Sequence, residues 1–352
     1  MAKSRLTLLK VRRYHRRDMS EEQRVLDSAP AARTETSSSP VEVGAQPLVS
    51  QLRYLLRSMR PRQWTKNLIV FMALLFSIGL AWEPSEPSSW APLLGWSALT
   101  FGLFCLISSA EYLVNDVVDR ESDRQHPEKR NRPIAAGLLS SRTALTWAVV
   151  FALLAIGGGF ALTAPLTWHV GAVLASYAAL MLLYSLVLKH VVLMDMMAIG
   201  GGFVLRAMAG ALAIDVPISP WLYIVTALAA LFLVIHKRRA ELTLLEDGAG
   251  AHRPILEEYT PGLLDQMASL VTASTLIAYG LYTFTAENLP ENNAMMLTIP
   301  FVLYGLLRYL YLVHQRHEGG SPEEVLLRDR PLIIDILLWL TTAATVLAVY
   351  RD

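Results

Sequence analysis

An all-α polytopic membrane protein, a bundle of nine transmembrane helices with a cytoplasmic N-terminus, is the fold class this sequence predicts. Three observations predict it. Only 17% of the residues are charged and 53% are hydrophobic, whereas a soluble domain carries roughly 25% charge. The apolar residues collect into nine runs, at 67–82, 93–114, 142–163, 168–188, 191–213, 220–236, 267–286, 294–314 and 332–350. Each is near the roughly 20 residues a helix needs to cross the hydrocarbon core. Finally, the loops between them alternate in charge. Runs this long in lipid mean helices, because a helix satisfies its own backbone polar groups.

The chain opens differently. Lys10, Arg12, Arg13, His15, Arg16 and Arg17 are followed by a Ser-, Thr-, Pro- and Ala-rich stretch from Ala32 to Pro40. No apolar core follows the basic start, so it does not read as a secretory signal. Residues 1–50 are expected to form a disordered cytoplasmic tail whose basic stretch can touch anionic lipid. Residues 51–352 form the transmembrane domain, with Gln51 to Trp64 as an amphipathic entry to the first run.

Alternate loops then carry the cations. Arg53, Arg57, Arg60, Arg62 and Lys66 precede run one, and Arg120, Arg124, Lys129, Arg130, Arg132 and Arg142 follow run two. Lys189 follows run four, Lys237, Arg238, Arg239 and Arg253 follow run six, and Arg316, Arg328 and Arg330 follow run eight. The other four loops have no Lys or Arg and show Glu83, Glu86, Asp215, Glu287 and Glu291. Positive loops stay inside, so the N-terminus is cytoplasmic and the C-terminus outside, with Arg351 the exception. Cys105, alone in an apolar run, excludes a disulfide framework and a cysteine metal site. No nucleic-acid partner is expected; a homo-oligomer is compatible with the sequence but not specified by it.

Chemistry concentrates after run two, in Tyr112-Leu-Val-Asn115-Asp116-Val-Val-Asp119-Arg-Glu-Ser-Asp123-Arg124. On a helix Asp116, Asp119 and Asp123 stand at i, i+3 and i+7, with Asn115 four before Asp119, all on one face. Clustered carboxylates at the end of a membrane helix repel unless a cation or strong donors neutralise them. Hard oxygen ligands suit Mg²⁺, which commonly also holds substrate phosphates. The basic loop Lys129-Arg130-Asn131-Arg132 beside them supplies phosphate-binding cations.

This Asn-Asp-x-x-Asp-x-x-x-Asp pattern, with Asn131-Arg132-Pro133-Ile134 and Gly137, resembles the first aspartate-rich motif of the UbiA prenyltransferase superfamily. Further segments resemble its decaprenyl-phosphate phosphoribosyltransferase branch. They are Arg60-Pro-Arg-Gln-Trp-Thr-Lys66-Asn67, Tyr184-Ser-Leu-Val-Leu-Lys189-His190, Gly202-Phe-Val-Leu-Arg206, Lys237-Arg-Arg-Ala-Glu241, Glu258-Tyr-Thr-Pro and Leu327-Arg-Asp-Arg330. The resemblance covers residues 55–350 and implies a UbiA-like catalytic bundle in the plasma membrane. It implies transfer of 5-phosphoribosyl from phosphoribosyl pyrophosphate to a polyprenyl phosphate, with release of pyrophosphate, towards decaprenylphosphoryl-arabinose-type cell-wall precursors. The alternative is a UbiA enzyme that prenylates an aromatic or other small acceptor; a transporter or lipid-binding scaffold is a more distant reading.

Where ordinary UbiA enzymes have a second aspartate-rich motif, this chain has His236-Lys237-Arg238-Arg239-Ala-Glu241. Cations there suit a donor bearing an extra 5-phosphate. The resemblance therefore implies Asn115, Asp116, Asp119 and Asp123 as the metal–pyrophosphate unit. Lys66, Asn67, Arg124, Lys129, Arg130, Arg132, Tyr184, Lys189, Lys237 and Arg238 are implied as substrate contacts, and Glu241 as a metal ligand or ribose hydroxyl acceptor. Taken alone, Lys66 and Lys189 each read more often as a snorkelling anchor than as a site residue. Asp195 and Arg206, about three turns apart within run five, share a face and are either structural or part of a lipid cleft.

Overall fold

The computed structural model describes residues 48–350 apart from 128, 163–167, 218, 247–253, 288, 317–319 and 321, so the expected tail lies outside the described residues up to residue 47. Helix α1 (Leu48–Ser58) is amphipathic. Leu55, Ser58 and Met59, at i, i+3 and i+4, are buried while Leu52 and Leu56 remain exposed. Arg60 then turns left-handed (φ 53°), and Pro61 opens a 3₁₀ helix, Pro61–Phe71, that runs into the short α2 (Met72–Phe76).

The long helices follow. They are α3 (Pro87–Val118), with the short α4 (Arg120–Gln125) after it, then α5 (Ser141–Leu162), α6 (Trp168–Leu186), α7 (Met194–Ala213) and α8 (Pro220–Glu246). Next come α9 (Pro261–Thr285), α10 (Ile299–Arg316), the short α11 (Pro322–Arg328) and α12 (Arg330–Tyr350). Among the described residues there is no strand beyond an isolated bridge between Ile78 and Trp82. Eight helices there are long and apolar enough to cross a membrane, and the chain is an integral membrane protein.

The first expected run, 67–82, is not among those eight. It is built as the 3₁₀ helix plus α2, ahead of a turn at 77–80. At 3₁₀ and α rises this segment extends about 30 Å, close to the hydrocarbon thickness. Its close seat on α7 depends on a missing side chain: a Cβ on Gly210 would stand 2.1 Å from the Val70 carbonyl oxygen. Only glycine lets the two backbones approach this closely.

The two largest of six apolar clusters among the described residues hold much of the bundle. Val70, Leu103, Phe104, Ile107, Leu174 and Tyr177 join the 3₁₀ helix, α3 and α6. Phe76, Tyr279, Tyr282 and Leu347 join α2, α9 and α12. Leu153, Leu154, Leu270, Ile277 and Leu337 are left exposed on outer faces, which is stable against lipid and would be a liability in water. With 32 residues, α3 is about 48 Å long. It is longer than the roughly 30 Å hydrocarbon core, so its last turn, with Asn115 and Asp116, projects towards the headgroups.

Candidate active site

The end of α3 and the start of α4 meet at Asp119, where the backbone leaves regular helix (φ −85°, ψ 2°). Two i→i−4 hydrogen bonds, Asp119 N to Asn115 O and Asp123 N to Asp119 O, both 2.8 Å, keep the helical register across the break. Asp116 and Asp123, two turns apart, are buried and turn to one partner: Arg132 Nη1 lies 3.1 Å from Asp116 Oδ1 and 2.7 Å from Asp123 Oδ2. Arg60 Nη2 also bonds Asp116 Oδ1, and its guanidinium stacks over the Tyr112 ring.

Asp119 looks elsewhere. Lys189 Nζ, carried by the 3₁₀ turn Leu188–His190 after α6, lies 2.5 Å from its Oδ1. Asn115 Nδ2 donates to Asp119 Oδ2 at 3.0 Å, and Ser185 Oγ donates to Asn115 Oδ1 at 3.3 Å. The four expected ligand residues are thus together, divided between an Arg60–Arg132 side and a Lys189 side.

The donor set is all hard oxygen, which suits Mg²⁺. Asp116 Oδ1 and Asp123 Oδ2 already serve a single positive centre, the Arg132 nitrogen. These carboxylates, with Asn115 and Asp119, would hold a Mg²⁺ ion there. Among the described residues no three His, Cys, Asp or Glu side chains stand together as a finished cage. The residues therefore fit a divalent cation in chemistry, with Arg132 and Lys189 holding the charge positions.

The other expected contacts are spread over several places. Arg124 lies beside the cluster, its Nε donating to Ala135 O at 3.1 Å and Nη1 to Glu121 at 3.0 Å. Lys129 and Arg130 form a 3₁₀ turn with Asn131, in contact with α4. Asn67 is buried away from this rim; it accepts from Arg206 Nε at 2.7 Å, and its amide nitrogen lies 3.3 Å from Ser108 Oγ.

Arg206 also donates to Tyr177 O–H at 2.7 Å and stacks over its ring. It does not pair with Asp195. Asp195 takes Arg238 Nε at 2.9 Å and the Tyr259 hydroxyl at 2.9 Å, both inside the protein. Arg238 Nη1 bonds Glu241 Oε2 at 2.6 Å, and Tyr184 lies within electrostatic reach of the same guanidinium. Burial pushes the Tyr259 hydroxyl up to about 12, so it stays a neutral donor, and it accepts from Leu193 N at 2.7 Å. Leu193 holds φ 67°, a strained start to α7 fixed by that bond.

Lys237 precedes Arg238 on the same helix. With Lys66 it borders a cavity of about 340 Å³ whose walls are Leu68, Ile69, Ile199, Phe203, Leu233, Val234 and Ile336. Two ammonium groups beside an apolar slot match an anionic head on a long hydrocarbon.

The sequence placed Arg60 among the topology charges and in a family-like segment but did not mark it as a site residue. The Arg60-Pro61 step was a legible sign that α1 ends there. Ser185 and Tyr259, whose roles depend on packing, were not marked either.

Residues 70–325 match the UbiA prenyltransferase family. A decaprenyl-phosphate phosphoribosyltransferase of Mycobacterium tuberculosis is 35% identical, over 87% of this chain and 98% of its own length. One of Corynebacterium glutamicum is 34% identical, over 84% of this chain and 86% of its own. The solved UbiA homologue from Archaeoglobus fulgidus bound to GPP and Mg²⁺ superposes with a TM-score of 0.62 at 19% identity, over 84% of this chain and 100% of its own.

Proposed function

Because the chain belongs to the UbiA prenyltransferase family, we propose that it transfers 5-phosphoribosyl from phosphoribosyl pyrophosphate to a polyprenyl phosphate, releasing pyrophosphate. The identity to decaprenyl-phosphate phosphoribosyltransferases over nearly their whole length supports this substrate pair. The observation that carries it is the convergence of Lys66 and Lys237 on an apolar cavity, together with a separate cluster of carboxylates and cations at the end of α3. One place suits a phosphate on a lipid; the other suits a soluble polyphosphate.

The reaction breaks the C1–O bond to pyrophosphate, which leaves with the bonding electrons. A phosphate oxygen of the lipid then forms the new bond to C1. The nucleophile is already an anion, so no general base is needed and the work is electrostatic. Mg²⁺, bound by Asn115, Asp116, Asp119 and Asp123, would take up charge on the departing pyrophosphate. Arg60, Arg132 and Lys189, released from those carboxylates, would bind phosphate oxygens directly. The ion pairs of the free protein thus hold cations and carboxylates where the reactants need them. Asp195, Arg238 and Glu241 keep α7 and α8 in register behind the site. The alternating loops support a plasma-membrane site open to the cytoplasm, where the water-soluble donor resides.

The test is the lipid product. Purified protein in nanodiscs with decaprenyl phosphate, phosphoribosyl pyrophosphate and Mg²⁺ should yield phosphoribosylated lipid by mass spectrometry. No such product, together with prenylation of an aromatic acceptor from a prenyl diphosphate, would replace this reading with the prenyltransferase one.

A further inference from the structure

Glu111 lies inside α3, four residues before Asn115, and an ionisable side chain at that depth calls for a function. Positions four apart share a helix face, so Glu111 faces the same way as Asn115, about 6 Å deeper along the axis. Arg60, Lys66 and Arg206 stand within electrostatic reach of its carboxylate, as does Asp116. These cations are committed elsewhere, Arg60 to Asp116 and Arg206 to Asn67 and Tyr177. Among the described residues no hydrogen bond or ion pair reaches Glu111. Beside it is a cavity of about 170 Å³ whose lining is apolar apart from Glu111 and Ser185, with Ala178 and Met181 on one wall and Leu145, Val149 and Leu182 on the outer side. The site thus has cations and metal-type ligands at its rim, and one unsatisfied carboxylate a sugar's width further in.

We infer that Glu111 binds the ribose 2- and 3-hydroxyls of the donor, with the sugar's apolar face on the Met181–Ala178 wall. The inference rests on the phosphoribosyl reading above. An unsatisfied carboxylate repels phosphate and accepts hydroxyl hydrogen bonds, so a donor with phosphates at both ends and a diol between them is oriented by it.

Glu111→Gln and Glu111→Ala, compared with wild type in nanodiscs, test this. Both should raise KM for phosphoribosyl pyrophosphate about 10-fold or more while KM for decaprenyl phosphate moves less than about twofold, the range for a lost charge-assisted contact. Wild type should discriminate against the 2-deoxyribosyl donor, and both variants should lose most of that discrimination. Calorimetric binding of phosphoribosyl pyrophosphate should weaken in parallel, and thermal unfolding monitors the fold. Should the Ala variant fail to fold, Glu111→Gln and the deoxy donor decide. Unchanged donor KM and discrimination in an active variant would reduce Glu111 to a counter-charge and overturn the inference alone. Wild type without phosphoribosyl transfer would overturn it together with the reading beneath it.

Discussion

Lys189 Nζ lies 2.5 Å from Asp119 Oδ1 across 70 residues of sequence, and this pair fastens the end of α6 to the end of α3. Lys189 is only 6% exposed and Asp119 21%, so water does little to replace either partner. Lys189→Met should leave Asp119 unpaired and cost about 1–3 kcal/mol. Asp119→Asn in the same background should recover most of that stability without restoring turnover. Thermal unfolding of the two single variants and the double variant forms the cycle; additive losses would mean the pair contributes nothing to the fold.

Asp116 is held by both Arg60 and Arg132, so its charge is in demand even without a metal. Asp116→Ala and Asp119→Ala should each cut turnover more than about 10-fold, at least ~1.4 kcal/mol of barrier. EDTA should abolish wild-type activity, and Mg²⁺ should restore it. Activity unaffected by chelation would leave these carboxylates as partners of the arginines alone.

The face shared by Asp116, Asp119 and Asp123 was legible because helical spacing is local. Which cation meets which carboxylate was not. Arg132 lies 16 residues from Asp116, Arg60 lies 56 and Lys189 lies 70 from Asp119, so those pairings depend on how helices pack. Hydropathy located all eight long helices, since it samples composition. It could not distinguish one long helix from a 3₁₀ segment between Pro61 and Phe71, which is set partly by Gly210, 140 residues later. Asp195 and Arg206 looked like a pair on one face, yet each is buried against a residue from another helix. Glu111 was readable as an ionisable residue one turn before Asn115; its lack of a partner was not.

Basic residues in place of a second aspartate-rich motif suggested that Lys237 and Arg238 bind the donor's 5-phosphate. The structure divides them, Arg238 inward to Asp195 and Lys237 to the cavity with Lys66. Lys66→Ala and Lys237→Ala should therefore raise KM for polyprenyl phosphate roughly 10- to 150-fold. KM for the donor should change little. Steady-state kinetics with each substrate varied in turn decides; an effect confined to the donor would return Lys237 to the 5-phosphate.

Asp329 links α12 to α10 and gives stability a dependence on pH. Its Oδ1 accepts from Leu332 N at 3.0 Å, an N-cap to α12, and its two oxygens accept from Arg308 at 3.1 and 2.7 Å. The Arg308 hydrogen bond holds the Asp329 carboxyl below the usual carboxylate range. A depressed folded value means the native state favours the ionised form. Its stabilisation is fully present above the unfolded carboxylate pKa of about 3.9 and is lost as pH falls through the lower folded value. Asp329→Asn should therefore destabilise by about 1–3 kcal/mol at neutral pH, losing the charged contact and weakening the cap. The gap to wild type should stay constant from pH 7 to about 5 and close as pH drops below about 4. Thermal unfolding in nanodiscs across that range is the measurement. A gap that widens on acidification would mean Asp329 is protonated in the folded state, and the Arg308 contact would then be an ordinary hydrogen bond.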